Sequence, residues 1–318
     1  MYQNLEFGRI KEFARIKEFV TMKECGRKKG SGTSFVYFLI EKYKQKNSET
    51  TTMKLLLFLS VLFACKLSRK EAEAVYKLTS LFEFGRAEIL YDQCLNNFDG
   101  RGYTAGRAGF TTGTADAFMV IDYYMKKRLT NNPFRSMYQI LKRRAENFDG
   151  SVSGLDNFCN AWKQASTDSK FIRSQNKIMK ILYYKPSQVY SRQLGLEYTH
   201  SRGFVYDTFI QHGDGNDFDS ARALFGRCSQ AAGGTPSSGV DEIVWMYHCL
   251  VERKRVLMNA SDSSTRDVWR ESATRVDAFY YIYSNSNFAL ASPIRIDVED
   301  YDELISTRIT AAKTSKMC

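Results

Sequence analysis

The stretch Phe82 to Thr114, FEFGRAEILYDQCLNNFDGRGYTAGRAGFTTGT, holds five glycines in its second half and few hydrophobic residues around them. No helix runs comfortably through so much glycine, whose freedom is lost on folding and is of use mainly where the backbone turns tightly. On either side the apolar spacing is helical. Ala74, Val75, Leu78, Leu81 and Phe82 follow the i, i+3, i+4 pattern, with Gly85 as the stop just beyond Glu83. The chain is therefore constrained to a mainly helical, α+β fold that makes room for one small β element early on. AEILYDQCL reads as a second helix, DGRGYTAGRAGFTTG as a short twisted hairpin or irregular sheet, and Thr114 as the N-cap of ADAFMVIDYYMKKRL. Further helices are expected at 134–146, 155–166, 168–183, 186–211, 240–258 and 264–284, with a loop at 231–239.

The N-terminal part reads as two pieces joined. Residues 1–52 carry the crude repeat EFGRIKEFARIKEFV, with eleven Lys/Arg against six Asp/Glu and nothing to pack a core. Residues 53–65, MKLLLFLSVLFAC, have the charged, apolar and small-residue order of a secretory signal peptide. Their apolar run is shorter than the roughly 20 residues a membrane-spanning helix needs. Translation is thus expected to begin at Met53, with 1–52 an upstream extension, 66–300 the folded part and 301–318 a C-terminal tail. A secreted, extracellular chain without stable membrane association follows. Cleavage near Ala64 leaves Cys94, Cys159, Cys228, Cys249 and Cys318, enough for one or two disulfides in an oxidising compartment. With three histidines and no CxxC pair, no structural zinc site is expected. The net charge of +11 sits partly in residues 1–52. What remains is a mild excess without a long basic run, which argues against a nucleic-acid partner. Neither GxGxxG after a strand nor GxxxxGK[ST] occurs.

Glu83 stands near the start of the constrained stretch and Asp99 just before its first clustered glycine. Glycosidic hydrolysis needs two carboxyl groups on either side of one linkage, one protonated and one ionised. A glutamate at a helix end beside Leu81, Phe82 and Phe84 would be desolvated and favour the proton. An aspartate in a glycine-rich turn would meet water and backbone N–H groups that favour the anion. The tetrapeptide NFDG recurs at 147–150 without any such pairing.

FDGRGYTAGRAGFTTGTADAF, residues 98–118, resembles the signature of the family 46 glycoside hydrolases, the chitosanases, whose pattern runs GDGRGYTxGxxGFxSGTGDM. The likeness continues in family order through VYDTFIQHGDGND (205–217), LVERKRVLM (250–258) and STRDVWRESATRV (264–276). The resemblance implies a lysozyme-like fold of two helical lobes with a cleft between them. It implies endo-hydrolysis of β-1,4 linkages in chitosan or partially acetylated glucosamine oligosaccharides, with inversion, by a monomer. By position it makes Glu83 the general acid, Asp99 the general base and Thr104 the hydroxyl that places the attacking water. It gives Asp116 a grip on a sugar amine, puts Arg101 and Asp207 at the substrate site, and sets Arg253 and Arg266 in an ionic network behind the pair. Inversion would require the carboxyl groups to stand roughly 6.5–9.5 Å apart. Asp207, Asp214 and Asp217 add to an expected acidic groove, whereas Trp162, Trp245 and Trp269 fit core packing better than sugar stacking. Phe98, Leu95 and Ala115 depart from the pattern, standing where the family usually has glycine, a carboxylate and glycine. The alternatives are a lysozyme-fold hydrolase of chitin or peptidoglycan, and a carbohydrate-binding protein that has lost catalysis.

Overall fold

The computed structural model describes residues 66–263 and 266–306. The upstream extension, the signal segment and Cys318 lie outside them. The chain divides into two units, one of Leu67–Asp214 with Phe218–Cys318 and one of Met1–Lys66 with Gly215–Asp217. Among the described residues of the second unit there is no helix or strand.

The first unit is mainly helical, as expected. Helix α1 (Arg69–Phe84) opens with a capping box, in which Ser68 Oγ accepts the Glu71 N–H and Glu71 Oε2 accepts the Ser68 N–H. It buries the five apolar residues that its spacing picks out and ends at Gly85, whose φ of 67° only glycine adopts without cost. Strands β1 (Cys94–Asn96), β2 (Tyr103–Ala105) and β3 (Phe110–Thr111) form an antiparallel sheet in that order. In register, Leu95 faces Thr104, and Thr104 faces Thr111. Then follow α2 (Asp116–Met125), α3 (Tyr138–Asn147), α4 (Phe158–Ser166) and α5 (Ser169–Met179). A π-turn at Lys180–Tyr184 joins α5 to α6 (Lys185–Gln193) in one unbroken rod. The sheet and α2 to α5 pack together on a core of Tyr124, Phe134, Phe158, Trp162 and Phe171. Beyond the rod lie α7 (Thr199–His212), α8 (Ala221–Ala231), α9 (Glu242–Met258), α10 (Arg266–Glu271), α11 (Thr274–Ser284) and the hairpin β4 (Ile294–Val298) and β5 (Tyr301–Ile305). These pack with α1 around Phe204, Phe225, Trp245 and Phe279.

Several elements differ from expectation. AEILYDQCL is no helix, because tertiary partners take its carbonyls. The Tyr91 oxygen accepts from Trp162 Nε1 and Gln175 Nε2, both at 2.9 Å, and the Gln93 oxygen accepts from the Gly106 N–H. Helix α2 begins at Asp116 rather than after Thr114, since the Asp116 carboxylate itself accepts the Thr111 and Ala117 N–H groups. The helix expected at 186–211 breaks at Gly195 (φ 79°), and Glu242 caps the freed Glu197 and Tyr198 N–H groups at 2.7 and 3.1 Å. A second break, at Ser272–Ala273, separates α10 from α11. Helix α8 went unread. Residues 301–305 are a paired strand, not part of a tail.

Two disulfides tie the fold: Cys94–Cys159 pins β1 to α4, and Cys228–Cys249 pins α8 to α9. Replacing Cys94 and Cys159 together by alanine should lower stability by about 2–4 kcal/mol, since the crosslink closes a long loop in the unfolded chain. A urea midpoint equal to that of the parent would contradict this.

Candidate active site

Glu83 lies in the last turn of α1, while Leu81 and Phe82 beside it turn into the core. Its carboxylate, 25 % exposed, does not meet an apolar pocket. Arg275 on α11 donates from Nη1 to Glu83 Oε1 at 2.7 Å and from Nη2 to the Phe82 carbonyl at 3.3 Å. Behind Arg275 stands Asp207 of α7, with no exposed side-chain surface. Its Oδ1 is 3.8 Å from Arg275 Nη1, and its Oδ2 accepts from Arg253 Nη2 at 2.6 Å. Arg253, also fully buried, donates further to Gln211 Oε1 at 2.5 Å and to His212 Nε2 at 3.4 Å. Burial and the Arg253 charge push His212 well below its ordinary pKa. The neutral ring therefore donates from Nδ1 to the Asp219 carbonyl and accepts at Nε2. Burial alone would lower Arg275, but Glu83 and Asp207 outweigh it and hold the guanidinium above its usual range. The result is a chain of alternating charge running from a surface carboxylate to the core.

Asp99 sits in the turn between β1 and β2. Its Oδ2 accepts from Arg101 Nε and Nη2 at 2.9 and 2.6 Å, and its Oδ1 from the Arg101 N–H at 3.0 Å. Partial burial favours the neutral acid, yet these three bonds and the arginine charge prevail and keep the Asp99 carboxyl below its ordinary pKa. The second NFDG is what holds this turn from behind: a Cβ on Gly150 would fall 1.8 Å from the Gly100 carbonyl oxygen. Thr104, on β2, is half-buried and accepts from Asn97 Nδ2 at 3.3 Å.

The remaining expected residues fall in different places. Asp116 is buried; its Oδ1 caps α2 and its Oδ2 accepts from the Tyr183 hydroxyl at 3.3 Å. Asp207, expected at the substrate surface, is sealed inside, so it acts on Glu83 only through Arg275. Arg253 joins the buried chain, but Arg266 does not occupy the position beside Glu83: its Nε donates to the Ala260 carbonyl at 3.0 Å. Asp214 is paired with Arg222, and Asp217 lies in the other unit. Trp162 and Trp245 are core residues, and Trp269 packs edge-on against His212. Sequence reading missed Arg275, Gln211, Asn97 and Gly150. Arg275 could have been found, since it adjoins the apolar face Val276, Phe279 and Ile282 of α11. Among the described residues no group of His, Cys, Asp and Glu is disposed to hold a metal.

Glu83 and Asp99, each part-exposed and each held by its own arginine, supply the two carboxyl groups that glycosidic hydrolysis needs. Residues 77–294 match the glycosyl hydrolase family 46 profile, and the chain belongs to that family. It is 40 % identical over 250 residues to a chitosanase of Bacillus subtilis (strain 168), covering 79 % of this chain and 90 % of the relative. It is 31 % identical over 171 residues to a chitosanase of Streptomyces sp. (strain N174), covering 53 % and 60 %. The crystal structure of native chitosanase from Bacillus subtilis MY002 superposes with a TM-score of 0.71 at 40 % identity, over 76 % of this chain and all of that one. A Gynuella sunshinyii chitosanase of the same family, in complex with chitotetraose, superposes at 0.70 and 32 % identity, over 77 % and 100 %. The lysozyme-like, α-dominated fold expected from the sequence is thus present.

Replacing Arg253 by Met should cost about 3–5 kcal/mol, because it strips a buried carboxylate of its closest counter-charge. Urea denaturation reads this directly; a loss below about 1 kcal/mol would mean that Arg275 alone neutralises Asp207.

Proposed function

We propose that the chain is a secreted endo-chitosanase that hydrolyses β-1,4 linkages between glucosamine units with inversion, Glu83 being the acid and Asp99 the base. The observation that carries the reading is that each carboxyl group is held by its own arginine, Glu83 through one oxygen and Asp99 through both. Arg275 has only donors, so Glu83 Oε1 must accept, and the transferable proton is confined to Oε2. When that proton passes to the leaving oxygen, the carboxylate left behind already faces a guanidinium. Asp99 is ionised by its three bonds to Arg101 and takes a proton from the attacking water. Thr104 fixes that water, its hydroxyl offering a donor and a free lone pair beyond the one bound by Asn97. Asp116 is a carboxylate for a sugar ammonium near the cut, on the model of its resemblance rather than of its present partners. Substrate comes to this chain from its relatives, whose solved complexes include a Bacillus subtilis MY002 variant with six GlcN units. Secretion rests on residues 53–65, and no helix among the described residues is long and apolar enough to cross a membrane. The enzyme works as a monomer without a cofactor.

Glu83→Gln should reduce kcat by ~10³-fold or more on a glucosamine hexamer, as for loss of a general acid, while binding persists. Proton NMR of the first product should show the α-anomer; a β-anomer would overturn inversion. A normal rate in the variant would remove Glu83 from its role.

The sign of the pH effect follows from Asp99. A depressed pKa keeps the base ionised into acid, so the acid limb of kcat/KM lies below the ordinary carboxylate range. Arg101→Gln removes the two guanidinium bonds and the charge while the backbone N–H still donates, raises that pKa and moves the limb to higher pH. Activity near about pH 4 should fall relative to that near about pH 6. An unmoved limb would mean that Asp99 is not the group titrating.

A further inference from the structure

Phe98 immediately precedes Asp99 and is 89 % exposed, the largest exposure among the exposed large hydrophobic residues that are described. Its φ of 56° lies in the left-handed region, where a bulky side chain is strained. The turn holds it there: the Phe98 N–H donates to Asn96 Oδ1 at 2.9 Å, and Arg101 clamps Asp99 on the other side. A strained backbone that carries an aromatic ring into water gains nothing for the core, and such outliers gather where ligands bind. Leu95 tells the same story from the sheet. It is 45 % exposed, and its register partner is Thr104, so both side chains stand on one face of β1 and β2. Hydrocarbon therefore flanks Asp99 on one side and Thr104 on the other, in a site otherwise built of charge.

We propose that Phe98, with Leu95, forms an apolar platform for the sugar unit bound beside Asp99 and sets the enzyme's tolerance of acetylation. A pyranose ring presents C–H groups on its faces, and an aromatic ring buries them without engaging the amine. A carboxylate at the same place would demand a free ammonium. Hydrocarbon accepts an N-acetyl group as well as an amine, because it offers neither an ion pair to lose nor a buried charge to strand. The inference rests on the chitosanase reading.

The test compares Phe98→Gly and Phe98→Asn with the parent on a glucosamine hexamer and on partially acetylated chitosan. Both substitutes tolerate positive φ, so the turn is preserved while the ring is lost. KM should rise about 5–10-fold in both, with the larger part of the loss in KM rather than kcat, as for a contact made equally in ground and transition states. Mass spectrometry of the products should show fewer acetylated units at the new chain ends. A KM equal to the parent's, or a loss confined to kcat, overturns the platform. An unchanged product pattern overturns the role in tolerance. A parent enzyme inert on both substrates refutes the chitosanase reading itself, and the ratio of variant to parent separates the two failures.

Discussion

Asp207 is a carboxylate with no exposed surface, and its burial organises much of what surrounds it. A charge so placed is tolerable only beside counter-charges and hydrogen-bond donors. Arg253 supplies the close one and Arg275 the farther one. Since Arg253 is buried too, it needs Gln211 and a neutral His212 around it, and His212 in turn needs the Asp219 carbonyl. Three helices, α7, α9 and α11, are thereby locked in one relative position. Only the last charge in the sequence, Glu83, reaches solvent. The geometry of the candidate acid is thus set by a network whose members never leave the interior.

The aspartate on the other support is held differently. No buried counter-charge reaches Asp99; a neighbour two residues away does the work, in a turn only five residues after a disulfide-bonded cysteine. One carboxylate is fixed through long-range packing, the other through local chemistry. That difference explains why they behave differently as readable features.

Local features were legible. The helix that ends beside Glu83 follows from apolar spacing and Gly85, and the turn that holds Asp99 follows from its glycines. What depended on distant partners was not. Ile89 and Leu90 suit a helix, but Trp162, Gln175 and Gly106 claim the carbonyls of this segment. Motif order put Arg266, rather than Arg275, in the ionic network. The position of Arg275 against the buried face of α11 was the better guide. The hairpin β4–β5 was lost because Ile294 and Ile296 alternate over too few residues to stand out from a loop.

The contact between Gly100 and Gly150 carries a consequence for how such a turn is inherited. On the Gly150 side the two stretches of main chain leave no space for even a methyl group, so that stretch serves as the mould of the turn after Asp99. Here nothing is adjustable. A side chain at Gly150 would be driven into the Gly100 carbonyl oxygen and felt as a shift of the turn that carries the aspartate, and a duplicated tetrapeptide that looks redundant on paper becomes the fixed wall against which a loop is cast.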